Sequence, residues 1–176
     1  DREMTDVLGH LIEVISGQRL DAYLAEHVFG PLGMRDTAFT IRDDQVPRFA
    51  ANYERQADGR LKLFDDPTRS VYAKTSFFSG GGGLVSTALD YHRFTAMLLN
   101  GGELDGMRLL GRKTVQLMTA NHLPDDGEVA QLALPGSFTD IPYAGVGFGL
   151  GFSVVEVRRL AADRDGRIRG FDVDLL

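Results

Sequence analysis

Cysteine is absent from the chain. Disulfides, a cysteine nucleophile and thiolate metal sites are therefore excluded. The same absence suits either the cytoplasm or an exported bacterial protein, so it does not fix the compartment. Basic residues are in the minority, 19 Lys and Arg against 25 Asp and Glu. With a net charge of −6 and no Lys/Arg-rich run, no nucleic-acid partner is expected. No apolar stretch approaches the ~18 residues that a membrane span requires, and no signal peptide is expected. Histidine is sparse. His10, His27, His92 and His122 show neither HExxH nor His-x-His spacing, so no metal site is expected.

Several signatures of nucleotide and hydrolase chemistry are also missing. There is no Gly-x-Ser-x-Gly, which excludes an α/β-hydrolase elbow. The main glycine run is not followed by Gly-Lys-Ser/Thr, so it is no Walker loop. No alternating apolar strand leads into it, which argues against a dinucleotide fold. Asp163-Arg-Asp-Gly166 lacks the later ligands of a calcium loop and reads as a structural turn.

What the chain does have is glycine, 21 in 176 residues, clustered at Gly80–Gly83, Gly101-Gly102 and Gly145–Gly151. Ser79-Gly80-Gly81-Gly82-Gly83-Leu84 is the segment around which the rest is read. Four glycines in a row are costly to order and mark places where a side chain does not fit. Thr87 caps a following helix, with Asp90 three residues on in the reciprocal place of a capping box. That helix carries Tyr91, Phe94, Leu98 and Leu99 as one apolar stripe. A glycine loop ending on a helix N-terminus offers N–H groups to an anion or polarised carbonyl; the alternative is a tight buried turn without a ligand.

Elsewhere, Met4, Val7, Leu8, Leu11, Ile12 and Ile15 recur at helical spacing, with Ser16-Gly17 as the stop. This stripe is wide for about four turns and demands a cover. A second helix spans about Leu20 to Phe29, with Leu20, Leu24 and Val28 inward and Gly30-Pro31 as its end. Leu32, Met34 and Phe39 read as an apolar plug under an irregular loop. Phe49–Gln56 and Leu61–Phe64 form a hairpin across Asp58-Gly59. Arg112 to Ala120 reads as another helix, with Val115 and Met118 facing in, and 121–144 as loop. Gly145-Val-Gly-Phe-Gly-Leu-Gly-Phe152 alternates with period two, predicting a strand that continues through Ser153–Val157 with Arg167–Leu176 as its partner. Its glycine-only face admits close approach of another element. The whole is one α+β domain over 1–176, helical over 1–144 with a small hairpin near 49–64, and ending in a strand ribbon over 145–176. So little sheet leaves the helices uncovered.

Six phrases in order carry a family resemblance: Asp6-Val-Leu-Gly9, Glu13-Val-Ile-Ser-Gly17, Pro31-Leu-Gly-Met-Arg-Asp-Thr37, Ser79 to Thr87 with Asp90-Tyr91 and Phe94, Leu98-Leu-Asn-Gly-Gly102, and Gly147-Phe-Gly-Leu-Gly-Phe152. Together they closely resemble the penicillin-binding-protein-like serine hydrolases, a group that includes class C β-lactamases, D-alanyl-D-alanine carboxypeptidases and related esterases. The resemblance covers residues 5 to about 157. It implies the mainly helical portion of a β-lactamase/transpeptidase-like fold with a small antiparallel sheet, incomplete at both ends. In such enzymes a Ser-x-x-Lys serine attacks a lactam, ester or D-Ala peptide carbonyl, and water then releases the acyl-enzyme. A tyrosine acts with the lysine as base, and a late strand helps to hold the oxyanion.

Most of this machinery does not carry over. No Ser-x-x-Lys occurs in the sequence; Ser70-Val-Tyr-Ala-Lys74 has one residue too many. The tyrosine position, five residues before Asp6, holds Asp1. The residues after Phe152 do not reach the family's oxyanion strand motif, and Lys74-Thr75-Ser76 lies before the glycine loop. No catalytic residue is therefore assigned. The resemblance places Ser79, Gly80, Gly81 and Gly82 on the wall of the substrate cleft, with no cofactor and no metal. It implies a small-molecule ester or β-lactam as the parent's substrate. The expectation is a truncated relative that is inactive alone; the alternative is a non-catalytic interaction or self-associating module derived from that family, and a third possibility is a complementing chain that carries the missing segments.

Overall fold

The computed structural model describes residues 2–132 and 145–155. The chain divides into two compact units, Asp1–Leu109 and Leu110–Leu176.

In the first unit, α1 spans Arg2–Ser16. It stops where Ser16-Gly17 predicts: Ser16 Oγ donates to the Ile12 carbonyl at 2.6 Å, and Gly17 takes φ +70°. A short α2, Leu20–Leu24, runs into a π-helical turn, Ala25–Phe29, and then α3, Gly30–Leu32. Gly30-Pro31 therefore does not end the second helix, contrary to the sequence reading. The π turn shifts the bonding so that Gly30 N–H reaches the Ala25 carbonyl, which accommodates a proline that can neither donate nor stack on a regular turn. Termination falls to Gly33 at φ +66°, with Gly33 N–H to Gly30 O and Met34 N–H to Phe29 O in a Schellman pairing.

Leu20, Phe29, Leu32, Met34, Phe39, Ile41 and Met97 are the buried apolar residues of this unit, so the expected plug of Leu32, Met34 and Phe39 lies in its core. The chain from 34 to 87 is mostly irregular. It is stitched by a two-way bridge between Ala38 and Val85 and by Ile41 N–H to Tyr72 O at 2.9 Å. From it projects a hairpin, β1 (Asn52–Arg55) antiparallel to β2 (Leu61–Asp65), whose side chains are nearly all exposed. Asp36 is held in a fork by Arg48 at 2.7 and 3.1 Å and by Gln45 at 3.0 Å. The Arg48 hydrogen bonds, then that of Gln45, hold its carboxyl below the ordinary aspartate range. A depressed carboxyl contributes stability above its unfolded value and loses it as pH falls through the folded value. Acid titration of the unfolding midpoint should therefore show a drop below about pH 4 that is shallower in Asp36→Asn.

Next, α4 spans Ala88–Leu99, and its N-cap is Thr87, whose Oγ1 accepts from Asp90 N–H at 3.1 Å. The capping box is only half formed, because Asp90 turns inward instead of back to Thr87. The predicted stripe also differs: Met97 and Asp90 are the buried positions, whereas Tyr91 and Leu99 are 61% and 88% exposed. Thr87→Ala should cost about 1 kcal/mol, read as a shift of the urea midpoint at unchanged slope. A two-residue ladder, β3 (Glu103–Leu104) with β4 (Met107–Arg108), closes the unit.

The second unit contains α5 (Arg112–Met118), a one-turn α6 (Val129–Leu132), and the pair β5 (Val146–Phe148) and β6 (Ser153–Val155). Val115 is its buried apolar anchor on α5. The predicted long strand is in fact a tight hairpin: Val146 pairs with Val155 and Phe148 with Ser153. Gly151 at φ +92° supplies the reversal that an uninterrupted strand cannot contain. The partner predicted at Arg167–Leu176 lies outside the described residues, and part of the predicted loop, 129–132, is helical.

The glycine-only face has the use expected of it. A Cβ at Gly147 would run into the Asn121 side chain, and one at Gly149 into the Met118 carbonyl. Asn121 fills that space as a clasp, accepting from Leu123 N–H at 3.2 Å and Phe148 N–H at 3.0 Å and donating to Gly127 O at 3.0 Å. Gly149→Ala should destabilise this unit by about 2–3 kcal/mol, measured by hydrogen exchange of the Leu150 amide, which bonds Met118 O at 2.8 Å.

Candidate functional site

The glycine segment is docked on the first helix through one carboxylate. Ser79 Oγ donates a short hydrogen bond to Asp6 Oδ1, and Gly81 N–H points to the same oxygen at 3.3 Å and to Ser79 Oγ at 3.1 Å. Gly80 then lies against the backbone of α1. A Cβ there would overlap the Thr5 carbonyl and stand 3.0 Å from Gly9 N, while a Cβ on Gly9 would meet Gly80 Cα at 3.1 Å and Leu20 Cδ2 at 3.0 Å. Two missing side chains, one on each element, let helix and loop touch main chain to main chain.

Asp6 and Gly9 are three apart, so a single helical turn presents a carboxylate and a gap on adjoining positions. Ser79 and Gly80 present the complement, a hydroxyl donor followed by a residue without a side chain. The anion that this loop holds is thus the chain's own Asp6. This replaces the sequence expectation of open N–H groups at a helix N-terminus: Gly81 N–H is directed at Asp6, and the N-terminus of α4 is capped by Thr87.

Beside the clasp opens a cleft of about 200 Å³. Leu8 and Ile12 of α1, Leu20 and Leu24 of α2, Phe39 and Leu84 form its apolar walls, with Thr5, Ser79, Gly80 and Gly82 at the polar edge. Phe39 is fixed edge-on to Phe78 with centroids 5.3 Å apart, and the Arg19 guanidinium lies 4.8 Å over the Phe78 ring. Of the four residues predicted for the wall, Ser79, Gly80 and Gly82 line this cleft; Gly81 faces Asp6 instead.

Behind the glycines, the buried Asp90 carboxylate accepts from Asp36 N–H at 2.8 Å and from Thr37 Oγ1 at 2.9 Å, and Thr37 Oγ1 lies 2.7 Å from Ser86 Oγ. The network joins the residues just after α3 to the start of α4, setting both ends of the segment that carries Ser79–Gly82.

Sequence reasoning missed the roles of Asp6 and Asp90. Asp6 was visible only as part of a phrase, although its spacing to Gly9 was the available signal. Asp90 was read as a cap because its side chain's true partners lie more than fifty residues away.

Chemically, the clasp is a positioning device. A serine nucleophile needs a base that takes its proton, an imidazole or amine in the usual arrangements. Ser79 instead spends its proton on a carboxylate that also faces a backbone amide. His10 and His27 are engaged elsewhere, His10 near Glu13 at 3.6 Å and His27 against the Tyr23 ring at 4.5 Å.

The family model described as Beta-lactamase matches residues 3–160. Protein Rv1367c of Mycobacterium tuberculosis is 39% identical over 151 residues, 85% of this chain and 36% of that protein. Monacolin J acid methylbutanoyltransferase of Aspergillus terreus is 37% identical over 118 residues, covering 64% of this chain and 27% of the relative. Among solved structures, unliganded simvastatin synthase from Aspergillus terreus, a selenomethionyl derivative, superposes with a TM-score of 0.67 at 31% identity, over 85% of this chain and 38% of the other. EstCE1, described as a hydrolase with promiscuous acyltransferase activity, does so with a TM-score of 0.65 at 27% identity, over 91% and 41%. The chain thus spans roughly a third of the length of the relatives it matches.

Proposed function

The chain belongs to the Beta-lactamase family, and from that premise we propose that it forms one flank of an acyl-transfer active site, with Ser79, Gly80, Gly81 and Gly82 as a wall segment of the substrate cleft. The observation that carries this reading is the Asp6 clasp, which fixes the glycine backbone at the polar rim of an apolar cleft. The parent reaction is attack of a serine on the carbonyl of a β-lactam, ester or D-Ala peptide, followed by transfer of the acyl group to water or another acceptor. A relative named as a methylbutanoyltransferase and a structural neighbour described as a hydrolase with acyltransferase activity support this range.

Within that reaction this chain supplies rigidity, not the nucleophile. The sequence has no Ser-x-x-Lys, and Ser79 is committed to Asp6. The 176-residue chain alone should turn over neither a chromogenic cephalosporin nor a p-nitrophenyl ester. Turnover that a serine-directed phosphonate abolishes would overturn this assignment.

A second reading, an interaction module, is favoured by α1. Met4, Val7, Leu8, Leu11, Val14 and Ile15 are each between 48% and 76% exposed. Apolar surface of that extent marks a contact surface. Sedimentation of the isolated chain tests it, since a monomer that persists at every concentration removes self-association.

A further inference from the structure

The far end of α4 carries the sequence's single Asn-Gly step, Asn100-Gly101. Such a step is chemically labile in an open chain. With no Cβ on the following residue, its amide nitrogen can reach the asparagine Cγ, and the side-chain amide then leaves as ammonia. The folded chain holds the two reacting atoms apart. Ring closure needs Cβ and the Gly101 nitrogen eclipsed about the Asn100 Cα–C bond. From the observed ψ of 16° that is a rotation of roughly 140°. Gly101 N–H is also donated to Leu98 O at 2.9 Å, which keeps the proton on the nitrogen that would attack. The surroundings fix this geometry. Gly102 N–H reaches Met97 O at 2.9 Å, so Gly101, at φ +69°, and Gly102 complete a Schellman cap. Gly101 O accepts from Arg108 Nη1 at 3.0 Å, Gly102 O accepts from Leu109 N–H at 2.8 Å, and Arg108 also pairs with Glu103.

We propose that Asn100 is a spontaneous modification site gated by this cap: it loses ammonia only in molecules whose α4 end has opened, and the product cannot close that end again. In the open state the Gly101 nitrogen gives its proton to water, bonds to Asn100 Cγ and expels the side-chain nitrogen as ammonia. Water then opens the cyclic imide. Opened at the side-chain carbonyl, the ring leaves aspartate. Opened at the main-chain carbonyl, it leaves isoaspartate, in which the chain runs through Cβ and the former α-carbonyl becomes a free carboxylate. Both routes need only water and run one way, because the ammonia is lost. Either product places a negative charge at the carbonyl end of α4, where the helix dipole opposes it. Isoaspartate also lengthens the main chain by one atom before Gly101, so the two cap hydrogen bonds lose their spacing. Asn52 and Asn121 precede Tyr53 and His122, whose side chains hinder the attacking nitrogen. Nothing in this step depends on the acyl-transfer reading.

The test incubates the full chain at mildly alkaline pH and follows the amide-to-acid mass gain of the tryptic peptide Phe94–Arg108. The folded chain is expected to convert measurably, but at least ~10-fold more slowly than the same chain in urea. Arg108→Ala removes the clamp on Gly101 O from an exposed position. It should speed conversion and hydrogen exchange of the Gly102 amide together, by about 3–10-fold. If that variant leaves exchange unchanged, sub-denaturing urea supplies the opening in the unaltered chain, and conversion must rise with exchange. Converted molecules, separated by their extra negative charge, should show a nearly unprotected Gly102 amide. Asn100→Asp, which adds the charge on an unaltered main chain, should keep part of the protection. Equal rates in the folded and urea-unfolded chain would overturn the proposal. So would a folded chain that never converts although its Gly102 amide exchanges, exchange that quickens without conversion, or converted molecules with the cap intact.

Discussion

Gly80→Ala should cost the first unit about 3 kcal/mol or more, a large share of the ~5–15 kcal/mol that holds a typical domain together. The reason is steric. Gly80 does not have a positive φ, so the cost does not come from forcing alanine into the left-handed region. The added methyl, however, would occupy the place of the Thr5 carbonyl oxygen and press on Gly9 N at 3.0 Å. Both obstacles are main-chain atoms of a helix, which cannot rotate aside as a side chain can. Relief requires lifting the loop off α1, and that breaks the Ser79 and Gly81 bonds to Asp6 as well. Gly59→Ala is the informative control. Gly59 has φ +83°, and a methyl added there would meet nothing within 4 Å, so its cost is conformational only, about 1–2 kcal/mol. Urea unfolding followed by circular dichroism compares the two. Equal midpoints would mean that the close approach at Gly80 does not matter.

Asp90→Ala should be comparably severe, about 3 kcal/mol. A carboxylate that is 5% exposed accepts from Asp36 N–H and Thr37 Oγ1, and removing it strands a partly buried amide among groups that cannot replace it. Hydrogen bonds to a charged group are worth about 1.5–3 kcal/mol each, and the stranded donors add their own desolvation cost. Asp90→Asn retains one acceptor oxygen of the same shape and should lose about 1 kcal/mol. A helix-capping role alone predicts another pattern, because Thr87 supplies the cap and asparagine would then be neutral. Hydrogen exchange of the Asp36 amide separates the two: Asp90→Ala should bring it close to the unprotected rate, whereas a purely helical effect would leave it protected.

Residue identity made the local elements legible. Ser16-Gly17 and Thr87 mark helix boundaries through chemistry that acts within one turn, and the structure has those boundaries there. The core plug was readable for a similar reason, since Leu32, Met34 and Phe39 are large and apolar among loop residues and have nowhere favourable to go but inward. The hairpin of β5 and β6 was not. Period-two alternation is the same for one long strand and for two short ones, and Gly151 gives the reversal no unique sequence mark in a segment where every second residue is glycine. The π turn escaped as well, because Pro31 signals disruption of a helix without saying whether the helix stops or widens.

The sequence alone determined the family resemblance, the absence of Ser-x-x-Lys and of cysteine chemistry, and the backbone freedom of the glycine segment. These are statements about which side chains exist, and they hold in any conformation. Tertiary structure decided what the glycines are for. Asp6 and Ser79 are more than seventy residues apart, and Gly9 and Gly80 lack side chains for one shared reason that appears only when the two elements meet. The wide stripe on α1 signalled a need for cover; its outward direction follows from Asp6, Gly9 and Glu13 fastening the opposite side to the unit. Propensity and periodicity act over a few residues, whereas the direction a helix faces is set by contacts that only the folded chain brings together.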